Sequence, residues 1–431
     1  MLADLRTGVG TLLSRPGAFL LCLIPTLLLG AALALWLQPE PHSDWGYYWE
    51  AAGRYRDYER GGLGLWLLAI PKALGLPPAL AALSLNLPAA MLVLWLSWRA
   101  DDAGKRGLWL AAAAYLLLVA PFFGLVQLDL VASALLGAGA WLAVLRSDGN
   151  GRARLLVAIL LAAAGVSTRP QFALTLWTML LLVGLPWMIW RSGRKKEGRI
   201  GGLLCVLLAG SLLGFGIDYG LRHLGDRSGS IRTSSAVTLY AGLLASTDKA
   251  GTCGRWSLDA TRAARKDRKK PLAQAVADRL SAHPPAYWVS VLRCKFPAIV
   301  LPEPYALDWL ANAPNVRDAM DRSPRNDELQ TRYFRALRVE RALYHSVVMA
   351  ILGIAAATSL ALAYRRRLAA VIPVAWVASF WLVHLVFEIQ GRYFLGMYLL
   401  TPLLCMLVLS LADRQPGSTP GQARVSAQTA G

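Results

Sequence analysis

Acidic residues, histidine and cysteine are all scarce in this chain. Its 431 residues include 26 acidic side chains against 45 basic ones, five histidines and five cysteines, and only 16% of the residues are charged. The sequence also lacks a P-loop and the glycine fingerprint of dinucleotide-binding folds, so it gives no sign of a bound nucleotide. So small a charged fraction argues against an ordinary soluble domain.

Hydrophobic residues take the place of the missing charge. They make up 56% of the chain, and the mean hydropathy is +0.43. Because about 20 consecutive apolar residues cross a bilayer as a helix, we predict an all-α polytopic membrane protein with about ten transmembrane helices. The predicted spans lie near 17–37, 79–98, 107–124, 130–145, 154–168, 171–190, 201–217, 344–364, 368–387 and 394–412.

Lysine and arginine concentrate in alternate short loops, and this bias predicts the orientation of the chain. The basic loops lie around 99–106, 146–154, 191–199 and 365–367. The opposite short loops hold only Arg169 and Arg392. Since basic residues resist translocation, the basic loops and both termini are predicted to be cytoplasmic. The net charge of +19 therefore reflects this bias and contact with anionic lipid rather than nucleic-acid binding.

The span positions divide the chain into four parts. We predict an N-terminal transmembrane module over 1–221 with a first outer loop at 38–78, an outer (periplasmic) segment over 222–342, transmembrane helices over 343–412 and a disordered cytoplasmic tail over 413–431. The outer segment contains two predicted helices around a Pro-Pro corner, and we expect it to cover the site. The alanine- and arginine-rich composition is typical of a GC-rich bacterium, which favours the inner membrane.

The first outer loop predicts an interfacial helix. Ser43 is a plausible N-cap, and Trp45, Tyr48 and Ala52 share one helical face. A helix of this kind is expected to lie flat, with its aromatic side chains at headgroup depth. The glycines and proline between 61 and 78 are expected to break the helix before the second span.

Five ionisable residues fall at the predicted outer membrane boundary, where burial of charge is costly. They are Asp44, Asp129, Arg169, Glu388 and Arg392. Two or three acids with two arginines on one face are typical of a site that binds an anion and holds a general base. Each also has a structural explanation. Asp44 and Asp129 suit helix starts, Asp129 could instead pair with a buried arginine, and Glu388 could pair with Arg392 four residues later.

Histidine and cysteine add little chemistry. His42 lies beside Asp44, but two ligands do not make a metal site, and His384 is expected to be structural. We predict no cofactor, although a divalent metal stays open. Cys253 and Cys294 share the outer segment, where a disulfide could form.

Three motifs follow one another along the chain: the run SDWGYYWEAA after the first span, VQLDLVASALL after the third, and E-x-x-x-R-Y from Glu388 to Tyr393 before the last. In this order they resemble the GT-C superfamily of integral-membrane glycosyltransferases, and most closely its protein O-mannosyltransferase and aminoarabinose-transferase-like group. AHPPAYWVSVLRCKF adds to the likeness, which covers most of the chain. Relatives often carry a pair of acids in the first loop, whereas Ser43 and Trp45 flank Asp44 here.

The resemblance implies a sugar donor linked to polyprenyl phosphate and an envelope acceptor that is a lipid, a glycan or a protein. Asp44 would be the catalytic base of a single inverting displacement. Arg392 and Arg169 would bind the departing phosphate, and Asp129 would orient the acceptor. Glu388, Tyr393 and Tyr48 complete the expected substrate-binding set.

Two other functions stay open. A transporter or lipid flippase would place its polar residues near the bilayer midplane and often shows repeated halves, neither of which we find here. A polysaccharide polymerase or ligase would use the same class of donor but transfer a whole glycan instead of one sugar.

Overall fold

A computed structural model describes residues 16–52, 62–101, 106–145, 151–190, 198–225, 233–243, 253–267, 270–365 and 367–413. Within these ranges the chain is helical, with no strand. The predicted C-terminal tail beyond 413 and much of the basic loops at 146–154 and 191–199 lie outside the described residues.

The first half of the chain forms nine helices within the described ranges. They are α1 (Pro16–Leu37), α2 (Asp44–Ala51), α3 (Gly62–Ala73), α4 (Pro78–Ala100), α5 (Trp109–Val119), α6 (Asp129–Val144), α7 (Gly151–Thr168), α8 (Gln171–Trp190) and α9 (Gly198–Gly225). A short 3-10 turn, Ala120–Phe122, extends α5.

The second half forms nine more described helices. They are α10 (Thr233–Gly242), α11 (Leu258–Lys266), α12 (Leu272–Ser281), α13 (Pro285–Val300), α14 (Ala306–Ala311), α15 (Pro314–Asp321), α16 (Asn326–Tyr364), α17 (Val371–Val386) and α18 (Leu395–Asp413). Two 3-10 turns, Leu368–Ala370 and Gly391–Phe394, precede α17 and α18.

Each of the ten predicted spans coincides with a helix. Six of the described helices are long and apolar enough to cross a membrane, namely α1, α4, α7, the main part of α9, α16, and α18 with the turn before it. The helices α3, α5, α6, α8 and α17 are apolar but shorter. The structure therefore supports a multi-pass membrane protein, while the count of ten spans stays a prediction.

The core of the bundle surrounds α18. This helix packs against α4, α5, α6, α16 and α17. In its most apolar stretch, 83% of the residues are buried inside the protein. Small residues bring α6 and α7 close together, since a Cβ on Gly139 would lie 2.7 Å from the carbonyl oxygen of Ala158. Close backbone approach of this kind is a common way for helices to associate in lipid.

Two helices extend beyond what the sequence signals marked. The glycines and proline between 61 and 78 were expected only to break the interfacial helix, but residues Gly62–Ala73 form a helix of their own, α3, with Pro71 in its last turns. The predicted span at 344–364 lies inside a longer helix that begins at Asn326 and runs for 39 residues. At 1.5 Å per residue α16 is about 58 Å long, roughly twice the hydrocarbon thickness, so its first half extends beyond a bilayer.

Candidate functional site

The five ionisable residues picked out from the sequence lie at one end of the bundle. Asp129 opens α6, Arg169 follows α7, and Arg392 lies in the turn before α18. Asp44 opens α2, and Glu388 lies just after α17. The C-terminal ends of α4 and α18 meet at the other end, where Ser410 approaches the Ala100 carbonyl. The polar residues are therefore gathered by the ends of helices that are remote in sequence.

One ion pair at this end is fully buried. The Arg169 Nε lies 2.7 Å from Asp129 Oδ1, and the two side chains are 5% and 2% exposed. The Arg169 Nη1 also donates a hydrogen bond to the Tyr48 hydroxyl at 2.7 Å. The pair thus joins α6 and α7 to the short helix α2.

A second ion pair differs because one partner faces solvent. The Arg392 Nη2 lies 2.5 Å from Asp44 Oδ2, with the arginine 1% exposed and the aspartate 36% exposed. Arg392 pairs with Asp44 here, across 348 residues of sequence, whereas the structural alternative drawn from the sequence was a pair with Glu388 four residues away. Asp44 is the acid of this pair that a ligand could reach.

Gln127 connects the two ion pairs, a role that was not predicted from the sequence. With its amide oriented so that both ends are satisfied, its nitrogen donates to Asp129 Oδ2 at 2.6 Å and its oxygen accepts from Arg392 Nη1 at 2.7 Å. The same oxygen accepts from the Trp45 indole nitrogen. A glutamine two residues before the acid in VQLD was the only signal for this role.

Aromatic rings form one wall of the site. The Arg392 guanidinium lies 5.0 Å from the Trp309 ring centroid and 5.2 Å from that of Tyr393, distances at which a cation is attracted to the ring face. Trp309 comes from α14 and packs on Trp45 with 4.7 Å between centroids. His42 completes the wall, 4.6 Å from Trp45. Trp309 was not predicted, because it carries no charge and lies in the outer segment, far in sequence from Asp44 and Arg392.

The aromatic face of α2 packs against the protein. Trp45 and Tyr48 are 0% and 2% exposed, so this face is covered by protein side chains rather than by lipid headgroups. Their polar atoms explain this placement, since the Trp45 indole donates to Gln127 and the Tyr48 hydroxyl accepts from Arg169. Ser43 precedes the helix as expected but does not cap it, because its φ is +53° and its side chain makes no capping hydrogen bond.

Glu388 is held by its own neighbourhood. It is 2% exposed, its backbone N–H donates to the Thr238 carbonyl at 2.9 Å, and Gln390 donates to its carboxylate. His384 contacts the Glu388 carbonyl at 2.7 Å, in keeping with a structural role.

The arginines keep unused donors. Among the described residues, Arg392 Nε and Arg169 Nη2 are buried and have no hydrogen-bond partner. A buried N–H of a guanidinium without an acceptor is costly, and an anion's oxygens would satisfy it. Within the same part of the chain, no group of three or more histidine, cysteine, aspartate or glutamate side chains is placed to hold a metal.

No protein-family model, curated protein or solved structure matches the chain.

Proposed function

We propose that this protein is an integral-membrane glycosyltransferase that moves one sugar from a polyprenyl-phosphate donor to an envelope acceptor, with inversion. The observation that carries the proposal is the Asp44–Arg392 pair. It combines a carboxylate that a ligand can reach with a buried guanidinium that retains a free N–H.

In the proposed reaction, Asp44 acts as the base and the two arginines stabilise the leaving phosphate. The acceptor hydroxyl or amine attacks the anomeric carbon while Asp44 takes its proton. The bond from that carbon to the phosphate oxygen breaks, and the phosphate leaves with the electron pair. Arg392 and Arg169 would bind the developing negative charge through their unused donors.

Proton transfer and departure of the phosphate are coupled in this arrangement. While Asp44 is ionised, it holds the Arg392 Nη2 at 2.5 Å. Once Asp44 is protonated, its charge no longer competes for the guanidinium, so Arg392 can turn its full charge to the leaving phosphate. The buried Asp129–Arg169 pair would keep the geometry fixed while this exchange takes place.

The remaining residues suit donor and acceptor recognition. Trp309 offers a ring face beside Arg392, and aromatic faces pack well against the apolar face of a sugar. Tyr48 and Tyr393 lie against Arg169. Asp129 and Glu388 would orient the substrates from beneath. The prenyl tail would lie along the apolar surface of the bundle.

The same proposal gives the protein an orientation. The described arginines at the opposite end of the bundle, Arg99, Arg106 and Arg365, fit a cytoplasmic face. The site would then open to the periplasm of a bacterial inner membrane, where lipid-linked sugars are used. No cofactor is needed for a displacement of this type.

Mass spectrometry of envelope glycans and glycolipids tests the proposal. A deletion strain is complemented with wild type, Asp44→Asn or Glu40→Gln at equal membrane levels. Glu40→Gln is the matched control, since Glu40 is an exposed acid in the same loop. We expect wild type and the control to restore a single-sugar decoration and Asp44→Asn to fail. Restoration by Asp44→Asn would refute the catalytic role, transfer of whole glycans would favour a polymerase or ligase, and an unchanged profile in the deletion strain would favour transport.

A further inference from the structure

The loop that leads to Arg392 is held by the outer segment. After α17 ends at Val386, the backbone N–H of Glu388 donates to the Thr238 carbonyl at 2.9 Å, and that of Ile389 donates to the Gly254 carbonyl at 2.7 Å. The next residue but one, Gly391, lies so close to the Glu303 carbonyl that a Cβ there would collide with it. Three separate stretches of the outer segment therefore fix this loop.

Lys295 lies at the centre of these contacts. Its side chain is 0% exposed. The ammonium donates to three backbone carbonyls, those of Gly242 at 2.7 Å, Leu385 at 2.8 Å and Phe387 at 3.0 Å. All three of its N–H groups are used, so one side chain ties the end of α10 and the end of α17 to the start of the loop.

Burial of this lysine is costly in itself. Burial lowers its pKa from 10.5 to about 7, and no ion pair to Lys295 occurs among the described residues. An apolar side chain of similar size would fill the space at less cost. What it could not do is satisfy three carbonyls that end helices and would otherwise be buried without donors.

A disulfide fixes the lysine in turn. Cys294, the neighbour of Lys295 on α13, is bonded to Cys253. The disulfide therefore joins α13 to the turn at Gly254, whose carbonyl accepts from Ile389. Gly254 has a φ of +76°, and a Cβ there would lie 2.7 Å from the Lys295 Cε. Disulfide, turn and lysine pack as one unit.

We propose that Lys295 and the Cys253–Cys294 disulfide are positioning elements that set the place of Arg392 against Asp44. They touch neither residue. They act through the loop from Phe387 to Gly391. Lys295 binds the Phe387 carbonyl, and the disulfide fixes the turn whose Gly254 carbonyl accepts from Ile389. The proposal rests on the proposed function only for its kinetic readout, since the position of the loop can be measured without activity.

Hydrogen exchange followed by mass spectrometry on the purified full chain tests the positioning directly. The variants are Lys295→Met and the double variant Cys253→Ser/Cys294→Ser. The controls are Cys205→Ser, which removes a free cysteine, and Trp177→Phe, which removes a hydrogen bond to Ser211 between α8 and α9. We expect the amides of Glu388 and Ile389 to exchange at least tenfold faster in both variants and in neither control, with α4 and α18 unchanged. Unchanged loop exchange, or faster exchange throughout the bundle, would overturn the proposal.

Initial rates with a polyprenyl-phosphate-linked sugar provide the second readout. A displaced Arg392 weakens the hold on the donor phosphate, so we expect the donor KM to rise at least fivefold in both variants. A role in folding alone would lower the active fraction, and thus the apparent kcat, at an unchanged KM, which would also overturn the proposal. If wild type transfers no sugar, the proposed function fails while hydrogen exchange still decides whether the loop is positioned.

Discussion

Replacing Asp129 with asparagine should destabilise the protein far more than the same change at Asp44. Asp129 is 2% exposed and accepts from both Arg169 and Gln127 at 2.7 and 2.6 Å. Loss of its charge leaves the Arg169 guanidinium buried without a counterion, and removing one partner of a buried pair costs about 3 to 5 kcal/mol. Asp44 is 36% exposed although its partner Arg392 is only 1% exposed. Water can reach the place of the lost charge, and the guanidinium stays bonded to Gln127, so the change at Asp44 should cost less, about 1 to 2 kcal/mol.

Thermal unfolding of the detergent-purified variants measures the difference. A loss of about 3 kcal/mol corresponds to a fall in the unfolding midpoint of roughly 5 to 10 °C, and we expect a fall of about half that or less for Asp44→Asn. The double variant Asp129→Asn/Arg169→Gln removes both charges and should recover part of the loss. Equal destabilisation by the two single variants would refute the distinction between a pair that is buried on both sides and a pair whose acid is partly exposed.

Three further changes have definite expected results. Arg392→Lys keeps the charge but cannot hold Asp44 and Gln127 through separate nitrogens, so sugar transfer in the purified system should fall at least tenfold, with a smaller fall in the unfolding midpoint than Asp129→Asn causes. Trp309→Ala removes the ring 5.0 Å from Arg392, and the donor KM should rise more than it does for Trp309→Phe. Lys295 has a folded pKa of about 7 against an ordinary 10.5, so between these values the unfolded chain binds the extra proton and stability should rise with pH by up to about 1.4 kcal/mol per pH unit. Unfolding midpoints at pH 7 and pH 9 measure this rise in stability, and Lys295→Met should abolish it. His384 is a titratable group that interacts with Lys295, and His384→Gln should leave the rise unchanged.

The helices were predictable because each one carries its own signal. The apolar stretches of about 20 residues located the ten corresponding helices to within a few residues at most ends. The start of α16 was missed because residues 326–343 are amphipathic and charged, so a search for apolar runs ends where the helix leaves the apolar region. Helix α3 was missed because proline and glycine were taken as breaks, although Pro71 lies near the end of a helix that packs on α4.

The charged members of the site were predictable for a similar reason, since charge beside an apolar span is conspicuous. Their partners were not. Asp44 and Arg392 are 348 residues apart, and no local pattern says that they meet. Gln127 and Trp309 carry no charge, so nothing marks them until the fold brings them to Arg392. Lys295 looked like one of many basic residues, and only its burial distinguishes it.

Sugar transfer by the purified protein tests the central claim most directly. Wild type, Asp44→Asn and Glu40→Gln are incubated in lipid with a polyprenyl-phosphate-linked sugar and an extract of envelope acceptors, and release of polyprenyl phosphate is measured. We predict release with wild type and Glu40→Gln, and a loss of at least a hundredfold with Asp44→Asn. Equal release from Asp44→Asn and wild type would contradict the assignment of Asp44 as the catalytic base.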